Sequence, residues 1–217
     1  MRNRKKTYTE TEFLNNPFIV SQSDLHEMKV FNDCSEPIHL EIGCGKGGFI
    51  IELSAKNKDI NYIAIEREKG IIVMGAKRLR ELKEEKSHDG KVHFIHTNAD
   101  NLKEFFPENS VERIYLNFSD PWPNRKKWHK KRLTHTKYLE IYDYILEKNG
   151  EIHLKTDNKE LYEFSLESFK VNGWNIKEFC TNLHDTEFHI SGKNVMTEYE
   201  KKFSEKGMSI YRILAGK

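Results

Sequence analysis

The apolar residues of this chain fall into short runs typical of buried strands and into longer stretches with helical spacing. The short runs predict seven strands, at residues 38–42, 62–65, 92–95, 111–118, 151–155, 174–181 and 209–214. The longer stretches predict helices at residues 47–55, 67–86, 100–106, 133–147 and 158–171. Strands that alternate with helices in this way predict a parallel sheet with helices on both faces.

The last two predicted strands break this alternation, because no segment with clear helical periodicity connects them. We therefore expect an antiparallel pair of strands at this end of the sheet. No internal repeat and no linker rich in proline, glycine or serine divides the sequence. The whole pattern predicts a single α/β domain over residues 1–217, with a twisted, mostly parallel seven-stranded sheet and a basic N-terminal arm at residues 1–20.

The distribution of charge is more informative than the formal net charge, which is only +2. Residues 1–6 contain four basic residues and residues 125–132 contain six, and neither segment contains an acidic residue. In the rest of the chain, acidic residues outnumber basic ones. Basic residues clustered in this way indicate a binding site for a polyanion.

The composition argues against several classes of protein. Hydrophobic residues make up 37% of the chain and aromatic residues 12%, which is not the composition of a disordered protein. Cys34, Cys44 and Cys180 are far apart and form no C-x-x-C motif, so we expect neither a disulfide framework nor a metal site. The apolar run at residues 70–76 is too short to span a bilayer, and no signal peptide is recognisable. These features predict a cytoplasmic protein that does not enter the membrane.

A glycine-rich turn at residues 43–48 follows the first predicted strand and opens a helix. Glycines at such a turn let the backbone approach a ligand closely, and the helix N-terminus supplies unpaired N–H groups. The spacing of Gly43, Gly45 and Gly48 also fits the G-x-G-x-x-G motif of dinucleotide-binding proteins. The turn alone therefore leaves three alternatives: a nicotinamide or flavin cofactor, S-adenosylmethionine (SAM), or a turn that serves packing only.

Three polar residues at the ends of the first three strands favour SAM. Glu41, two residues before the first glycine, would repel the pyrophosphate of a dinucleotide, whereas a ligand with an amino group and a sulfonium tolerates it. Glu66 ends the second strand, where a carboxylate can accept hydrogen bonds from ribose hydroxyls. Asn98 follows the third strand, where a side-chain oxygen can accept from the adenine amino group.

Two motifs make a resemblance to a known family specific. Residues 41–47 (Glu-Ile-Gly-Cys-Gly-Lys-Gly) resemble the first motif of the Rossmann-like class I SAM-dependent methyltransferases, and residues 116–123 (Leu-Asn-Phe-Ser-Asp-Pro-Trp-Pro) resemble the signature of the bacterial tRNA (guanine-N7-)-methyltransferases. Residues 1–4, 132–134, 155–158 and 196–200 also match that family, in order along the chain. The resemblance implies a Rossmann-like fold, SAM as methyl donor and tRNA as substrate, with guanine 46 of the variable loop as the target. Whether the protein is a monomer or a homodimer is left open.

The resemblance also implies roles for individual residues. Asp120 would be the catalytic residue. The residues that would contact SAM are Glu41, Gly43, Gly45, Glu66, Asn98 and Asp120. Those that would contact the guanine nucleotide are Asn124, Asp157, Thr197, Glu198, Tyr199 and Glu200. The nucleotide-binding set has structural alternatives at two places, because Asp157 could cap a helix and residues 197–200 fit a capping box.

The basic segment at residues 125–132 is the candidate RNA-binding surface. An aromatic residue among lysines and arginines suits a base or ribose contact beside phosphates. The predicted contacts are Arg125, Lys126, Lys127, Trp128, Lys130, Lys131 and Arg132. The alternative is a solvated, charged start of a helix. At Asn124 the family usually has lysine, and the segment that follows is one residue longer here. Functional alternatives are a methyltransferase for another RNA or a non-RNA acceptor, and a non-catalytic RNA-binding module.

Overall fold

The computed structural model of the protein describes residues 10–27, 36–123 and 125–217. The chain divides into two compact units, residues 1–98 and residues 99–217, and each is described by itself. The predicted basic residues of the N-terminal arm, in residues 1–6, lie outside the described residues, and so does Asn124.

The first unit contains three parallel strands. In chain order its elements are α1 (Glu10–Leu14), α2 (Gln22–Glu27), β1 (Ile38–Ile42), α3 (Gly48–Lys56), β2 (Asn61–Glu66), α4 (Lys69–Glu84) and β3 (Lys91–His96). Strand β2 pairs with β1 and with β3, parallel in both cases. Every residue of β1 is buried, and so are the first five of β2, because helices cover both faces of a parallel sheet.

Part of the predicted N-terminal arm is packed against this sheet. Ile19 forms a parallel bridge with Phe94 of β3. The backbone N–H of Val20 donates to the carbonyl oxygen of Phe94 at 2.9 Å, and that of Phe94 donates to Phe18 at 2.7 Å. Residues 18–20 therefore extend the edge of the sheet beyond β3, and the N-terminal arm at residues 1–20 stays a prediction.

The second unit contains the other four strands. Its elements in chain order are a 3₁₀ turn (Ala99–Asn101), α5 (Leu102–Phe105), β4 (Val111–Asn117), α6 (Lys126–His129), α7 (Thr136–Ile145), β5 (Leu146–Thr156), α8 (Lys159–Val171), β6 (Asn175–Cys180), a second 3₁₀ turn (Leu183–Asp185), α9 (Glu187–Ile190), α10 (Glu198–Ser204) and β7 (Tyr211–Gly216). Strands β4 and β5 are parallel, and β7 is antiparallel to both β5 and β6.

The seven strands form one mixed sheet, with the order β3-β2-β1 in the first unit and β4-β5-β7-β6 in the second. The predicted fold class and the antiparallel pairing of the last two strands are confirmed. Strand β7 lies inside the sheet and five of its six residues are buried, whereas none of the six residues of the edge strand β6 is. Among the helices of the described residues, none has both the length and the apolar character to cross a bilayer.

Candidate functional site

The glycine turn after β1 has three residues in the left-handed region, with φ of 77° at Gly43, 57° at Gly45 and 70° at Gly47. At Gly47 an added Cβ would lie 2.7 Å from the ring of Phe94, so this glycine permits close packing against β3. At Gly43 and Gly45 an added Cβ would meet no atom within 4 Å. The two glycines predicted to contact a cofactor therefore border open space, which a ligand held against the backbone can fill.

The carboxylate of Glu66 at the end of β2 is oriented by two backbone hydrogen bonds, one of which comes from this turn. Its Oε2 accepts the N–H of Gly45 at 3.1 Å, and its Oε1 accepts the N–H of Glu68 at 3.0 Å. A carboxylate oxygen can accept a second hydrogen bond, so each oxygen can still receive one from a ribose hydroxyl. The turn therefore fixes the orientation of the carboxylate before any ligand binds.

The environment of the turn is negatively charged. Glu41, the fourth of the five residues of β1, is only 3% exposed. Burial raises the pKa of the Cys44 thiol well above its usual value, and the nearby carboxylates of Glu41 and Glu66 raise it further. Cys44 thus stays protonated and is no nucleophile. The same field disfavours a pyrophosphate and suits a ligand with cationic groups.

The predicted cofactor residues of the first unit all lie at the carboxyl ends of parallel strands. Glu41 and the glycines lie at the end of β1, Glu66 ends β2, and the exposed Asn98 follows β3 by two residues. Ligands of open α/β sheets bind at this edge. The structure therefore brings these residues to one edge of the sheet, as the sequence predicts.

In the second unit, the turn that carries Asp120 has an unusual backbone. Phe118 and Trp122 have positive φ angles of 50° and 45°, and Asp120, which is exposed, lies midway between them. Residues other than glycine are costly in this region and keep it only where their surroundings enforce it. At the first of the two, the N–H of Phe118 donates to the carbonyl oxygen of Lys155 in β5 at 2.8 Å. We refer to residues 118–122 as the Asp120 turn.

Arg132 holds the other end of the Asp120 turn and is not on the surface. Its side chain is 1% exposed. Its Nε donates to the carbonyl oxygen of Pro121 at 2.8 Å and its Nη2 to that of Trp122 at 2.9 Å. The guanidinium carbon lies 4.7 Å from the ring centroid of Phe164. Burial lowers the pKa of Arg132, with Glu160 opposing that shift. This burial argues against the predicted contact of Arg132 with RNA, which stays a prediction.

The other predicted RNA-binding residues surround the short helix α6. Arg125, Lys126, Lys127, Lys130 and Lys131 are exposed. Among the residues that the structure describes, no carboxylate forms an ion pair with any of these five. The segment is therefore a solvated surface with a single sign of charge, which agrees with both the RNA-binding prediction and its alternative.

Trp128 connects this segment to the Asp120 turn. Its indole stacks on that of Trp122, with ring centroids 5.4 Å apart and planes inclined by 8°. The Nζ of Lys131 lies 4.3 Å from the centroid of Trp128 and 4.4 Å from that of Trp122. The attraction between an ammonium and two aromatic faces stabilises this arrangement. Lys131 is consequently engaged with the indoles and less available to phosphate than its neighbours.

A second group of polar residues lies between the end of β5 and the start of α10. The Nζ of Lys155 donates to Glu200 Oε2 at 3.0 Å, to Asn194 Oδ1 at 2.5 Å and to the carbonyl oxygen of Val195 at 2.8 Å. Glu200 is fully buried. Burial alone would raise the pKa of Glu200, but Lys155, Asn194 and His184 together lower it below its usual value. Glu200 is thus a buried anion bonded within the protein, which argues against its predicted contact with the nucleotide.

The other residues of the 197–200 motif divide into buried and exposed positions. Thr197 is buried and caps α10, since its Oγ1 accepts the N–H of Glu200 at 2.9 Å. Glu198 is exposed, and Tyr199 is 61% exposed. The ring of Tyr199 stacks on Phe118 of the Asp120 turn, with centroids 6.3 Å apart. Glu198 and Tyr199 are therefore the members of the motif that a substrate can reach.

Asp157 does not cap α8. The capping residue is Asn158, whose Oδ1 accepts the N–H of Leu161 at 2.8 Å. The structural alternative for Asp157 is therefore wrong, and its predicted role in substrate binding remains a prediction.

His184, His189 and Glu200 form a group with the residue types of a metal site, since one ligand atom of each lies within 4.8 Å of the others. His184 Nε2 lies 3.0 Å from Glu200 Oε1, and Asn194 Nδ2 donates to His189 Nδ1 at 3.1 Å and to Glu200 Oε1 at 2.5 Å. These hydrogen bonds, together with Lys155, account for the arrangement without an ion. Sequence reasoning missed the group because its members come from separate segments with no ligand spacing.

Comparisons with known proteins agree with this geometry. The family described as "Putative methyltransferase" matches residues 35–213. A tRNA (guanine-N(7)-)-methyltransferase of Staphylococcus aureus is 43% identical over 217 residues, covering 99% of this chain and 97% of that protein. One of Clostridioides difficile is 39% identical over 223 residues, covering 100% and 99%. The crystal structure of the 16S rRNA methyltransferase KamB superposes with a TM-score of 0.64 at 10% identity, covering 90% of this chain and 93% of that one, and shows the fold alone.

Proposed function

The chain belongs to the tRNA (guanine-N(7)-)-methyltransferase family, whose cofactor is SAM, and from that premise we propose that it methylates N7 of a guanine in tRNA. Guanine 46 of the variable loop is the position that we propose for the modification. We further propose that the enzyme is cytoplasmic and active as a monomer or a homodimer. We also propose that it works without a metal ion, because methyl transfer to guanine N7 does not require one.

The chemistry of guanine N7 explains why a site without a general base suffices for methyl transfer. Guanine N7 has a lone pair in the plane of the ring and no proton, so no general base is needed to expose it. SAM, when bound, supplies a methyl group on a positively charged sulfur. The protein then contributes by orienting N7 toward that methyl group and by electrostatic stabilisation.

We assign the cofactor-binding role to the first unit. The residues that fit SAM are the open positions at Gly43 and Gly45, the oriented carboxylate of Glu66, the buried Glu41 and the exposed Asn98. Glu66 would accept from the ribose hydroxyls and Asn98 from the adenine amino group. The local negative charge that raises the pKa of Cys44 suits the positive sulfonium.

We assign guanine recognition to the second unit. The carboxylate of Asp120 would stabilise the positive charge of the methylated ring, and a carboxylate can accept from the guanine N1–H and exocyclic amine, which adenine cannot match. Asp157, Glu198 and Tyr199 are the further candidates for contact with the nucleotide. Glu200 and Thr197 would act by holding that segment in place.

The observation that carries the choice of RNA as substrate is the stacking of Trp128 on Trp122. Trp128 belongs to the acid-free basic segment, and Trp122 belongs to the turn that carries Asp120. The surface suited to phosphates is thus packed against the turn that carries the predicted catalytic residue, an arrangement that a methyltransferase for a small molecule or a protein would not need.

The direct test is to incubate the protein with SAM labelled in the methyl group and with total tRNA, digest the RNA and identify the labelled nucleoside. We expect N7-methylguanosine, and a tRNA transcript with adenosine at position 46 should accept no label. Label in a different nucleoside, or in transcripts altered at position 46, would redirect the proposal to another RNA target. The absence of label in any RNA would contradict it.

A further inference from the structure

Two strained residues enclose Asp120, and the two ends of the turn are held differently. At Phe118 the constraint is a backbone hydrogen bond to β5, of the kind that continues a sheet. At Trp122 the constraint comes from a side chain, because Arg132 donates to the carbonyl oxygens on both sides of the Trp122 N–Cα unit, those of Pro121 and of Trp122 itself. The guanidinium therefore binds the carbonyl oxygens before and after the N–Cα bond of Trp122, the residue at this end of the turn whose φ is positive.

The fork of a guanidinium suits this task better than any other side chain. Its N–H donors lie in one plane at fixed separation, so two neighbouring carbonyl oxygens can be bound at once and in one orientation only. A buried cation also requires such partners, because desolvation without hydrogen bonds is costly. The ring of Phe164, 4.7 Å below the guanidinium, fixes the plane of the fork.

We propose that Arg132 is a positioning residue for methyl transfer, which holds the Asp120 turn in its strained conformation and so fixes where Asp120 is presented. This inference rests on the proposed function, because it supposes that Asp120 acts on the guanine. It replaces the expected role of Arg132 as an RNA contact, although Arg132 ends the basic segment in sequence.

The same bonds also orient the indole of Trp122, and this provides a readout that is independent of activity. Two nearly parallel indoles 5.4 Å apart couple their electronic transitions, which gives a characteristic near-ultraviolet circular dichroism signal. When the carbonyl oxygen of Trp122 is released, the backbone at Trp122 can relax and the coupling should weaken. A Trp128→Phe variant identifies the part of the spectrum that belongs to the pair.

The test compares Arg132→Lys with Arg113→Lys. Lysine keeps the buried charge but cannot bind two carbonyls in one fixed plane. Arg113 is a matched control, since it lies in the same unit, is partly buried and donates to Glu151 at 3.2 Å, and it has no assigned role. We expect Arg132→Lys to lower the single-turnover methylation rate about 10- to 100-fold, as displacements near 1 Å do, while Arg113→Lys leaves it unchanged. The salt dependence of tRNA binding should stay at the parent value in both variants, and so should the Kd for SAM in Arg113→Lys.

The outcomes distinguish the alternatives. A parental single-turnover rate and a parental dichroism signal in Arg132→Lys would overturn the proposal. An Arg132→Gln variant with a parental rate but a reduced salt slope of tRNA binding would make Arg132 a phosphate contact instead. A general loss of packing would lower the unfolding temperature in proportion to the rate, and this too would contradict a positioning role. If the parent protein does not methylate guanine N7, the proposed function fails, while the dichroism still reports whether Arg132 holds the turn.

Discussion

The ammonium group of Lys155 lies 3.0 Å from the carboxylate of Glu200, and both side chains are almost completely enclosed by protein. The backbone carbonyl oxygen of Lys155 also accepts the N–H of Phe118. One residue of β5 therefore supports both the start of α10 and the start of the Asp120 turn. A buried ion pair of this kind makes either partner costly to remove, because the other charge stays behind.

Replacement of Lys155 by methionine should destabilise the protein by about 3–5 kcal/mol at pH 7, since Glu200 would remain buried without its counter-ion. Chemical denaturation at pH 7 measures this loss. Lys148→Met, at an exposed lysine of the same strand, is the control and should change stability by no more than about 0.5 kcal/mol.

The loss in Lys155→Met should depend on pH with a definite sign. The pKa of Glu200 is lowered in the folded protein, so Glu200 contributes stability above its unfolded pKa of about 4.3 and loses that contribution as pH falls through the lowered value. Without Lys155, burial raises the pKa of Glu200, and the carboxyl takes up a proton in mild acid. The difference between parent and variant should therefore be smaller near pH 4 than at pH 7. An equal loss at both pH values would show that lost packing dominates.

Replacement of Glu66 by alanine should weaken SAM binding by about 1.5–3 kcal/mol, the range for a hydrogen bond to a charged group. Isothermal titration calorimetry without RNA measures this effect. Glu66→Gln is the companion variant. Its side-chain amide oxygen can still accept a hydrogen bond from one ribose hydroxyl, so this variant should retain part of the affinity for SAM. Unchanged SAM affinity in the alanine variant would remove Glu66 from the cofactor site.

Replacement of Asp120 by alanine should abolish most turnover and leave tRNA affinity near that of the parent. The reason is that Asp120 is exposed and acts on the guanine, whereas phosphate contacts lie in the basic segment. Rapid-quench single-turnover kinetics and filter binding measure the two quantities. The parent rate should not fall steeply between about pH 8 and pH 6, because no group with a pKa near that of histidine, about 6.5, is required as a base. A steep fall in that range would count against direct transfer to N7.

Replacement of Lys126, Lys127 and Lys130 by glutamine should weaken tRNA binding and flatten its dependence on salt. Each phosphate contact that is lost removes about 0.7 from the slope of log affinity against log salt concentration for single strands and about 0.9 for duplex, so three contacts remove about 2–3. Lys131 is left in place because its ammonium lies against the faces of two indoles.

The matched control is a triple glutamine variant at exposed lysines outside the segment, namely Lys58, Lys77 and Lys159. It changes the net charge by the same amount and should leave the slope unchanged. A Trp128→Ala variant should instead lose affinity with little change in slope, by about 1–3 kcal/mol if a base stacks on the indole. If the segment variant binds like the control at all salt concentrations, the segment is only a solvated surface.

The two kinds of glycine in the turn should respond differently to alanine. Both Gly45→Ala and Gly47→Ala place a Cβ in the left-handed region, at a cost of about 1–2 kcal/mol. Gly47→Ala also clashes with Phe94, so it should lower the unfolding temperature more. Gly45→Ala has space for its Cβ in the free protein but fills the place of the ligand, so it should lose more SAM affinity. Thermal unfolding with and without SAM separates the two effects.

The sequence predicts the strands and the cofactor half of the site well, because both depend on local signals. Buried parallel strands appear as continuous apolar runs, and a glycine turn that directly follows such a run is a contiguous pattern of six residues. The position of β7 between β5 and β6 is harder to predict. It depends on β7 being more buried than β6, and the sequence pattern shows only that both segments are strands.

The part of the site that is proposed to bind the guanine and the tRNA is predicted only in outline. Arg132 follows a run of lysines and resembles them as a charge, yet its burial depends on the carbonyls of a turn ten residues earlier. Phe118 and Trp122 adopt a conformation for which their residue types give no signal. Glu200 matches a capping box, and the structure confirms the contribution of Thr197, but the Glu200 carboxylate is bonded to Lys155, Asn194 and His184, which all lie outside the motif.

The place of β7 in the sheet has a consequence for synthesis of the protein on the ribosome. Strand β7 follows every other strand in sequence, yet it supplies all the hydrogen bonds that join β6 to the sheet of the second unit. Until residues 211–216 have left the exit tunnel, the backbone N–H and C=O groups along this edge of β5 are unpaired and exposed to solvent. A nascent chain stalled before these residues should therefore be a substrate for chaperones and prone to aggregate. The emergence of β7 completes this side of the sheet and removes that exposed edge.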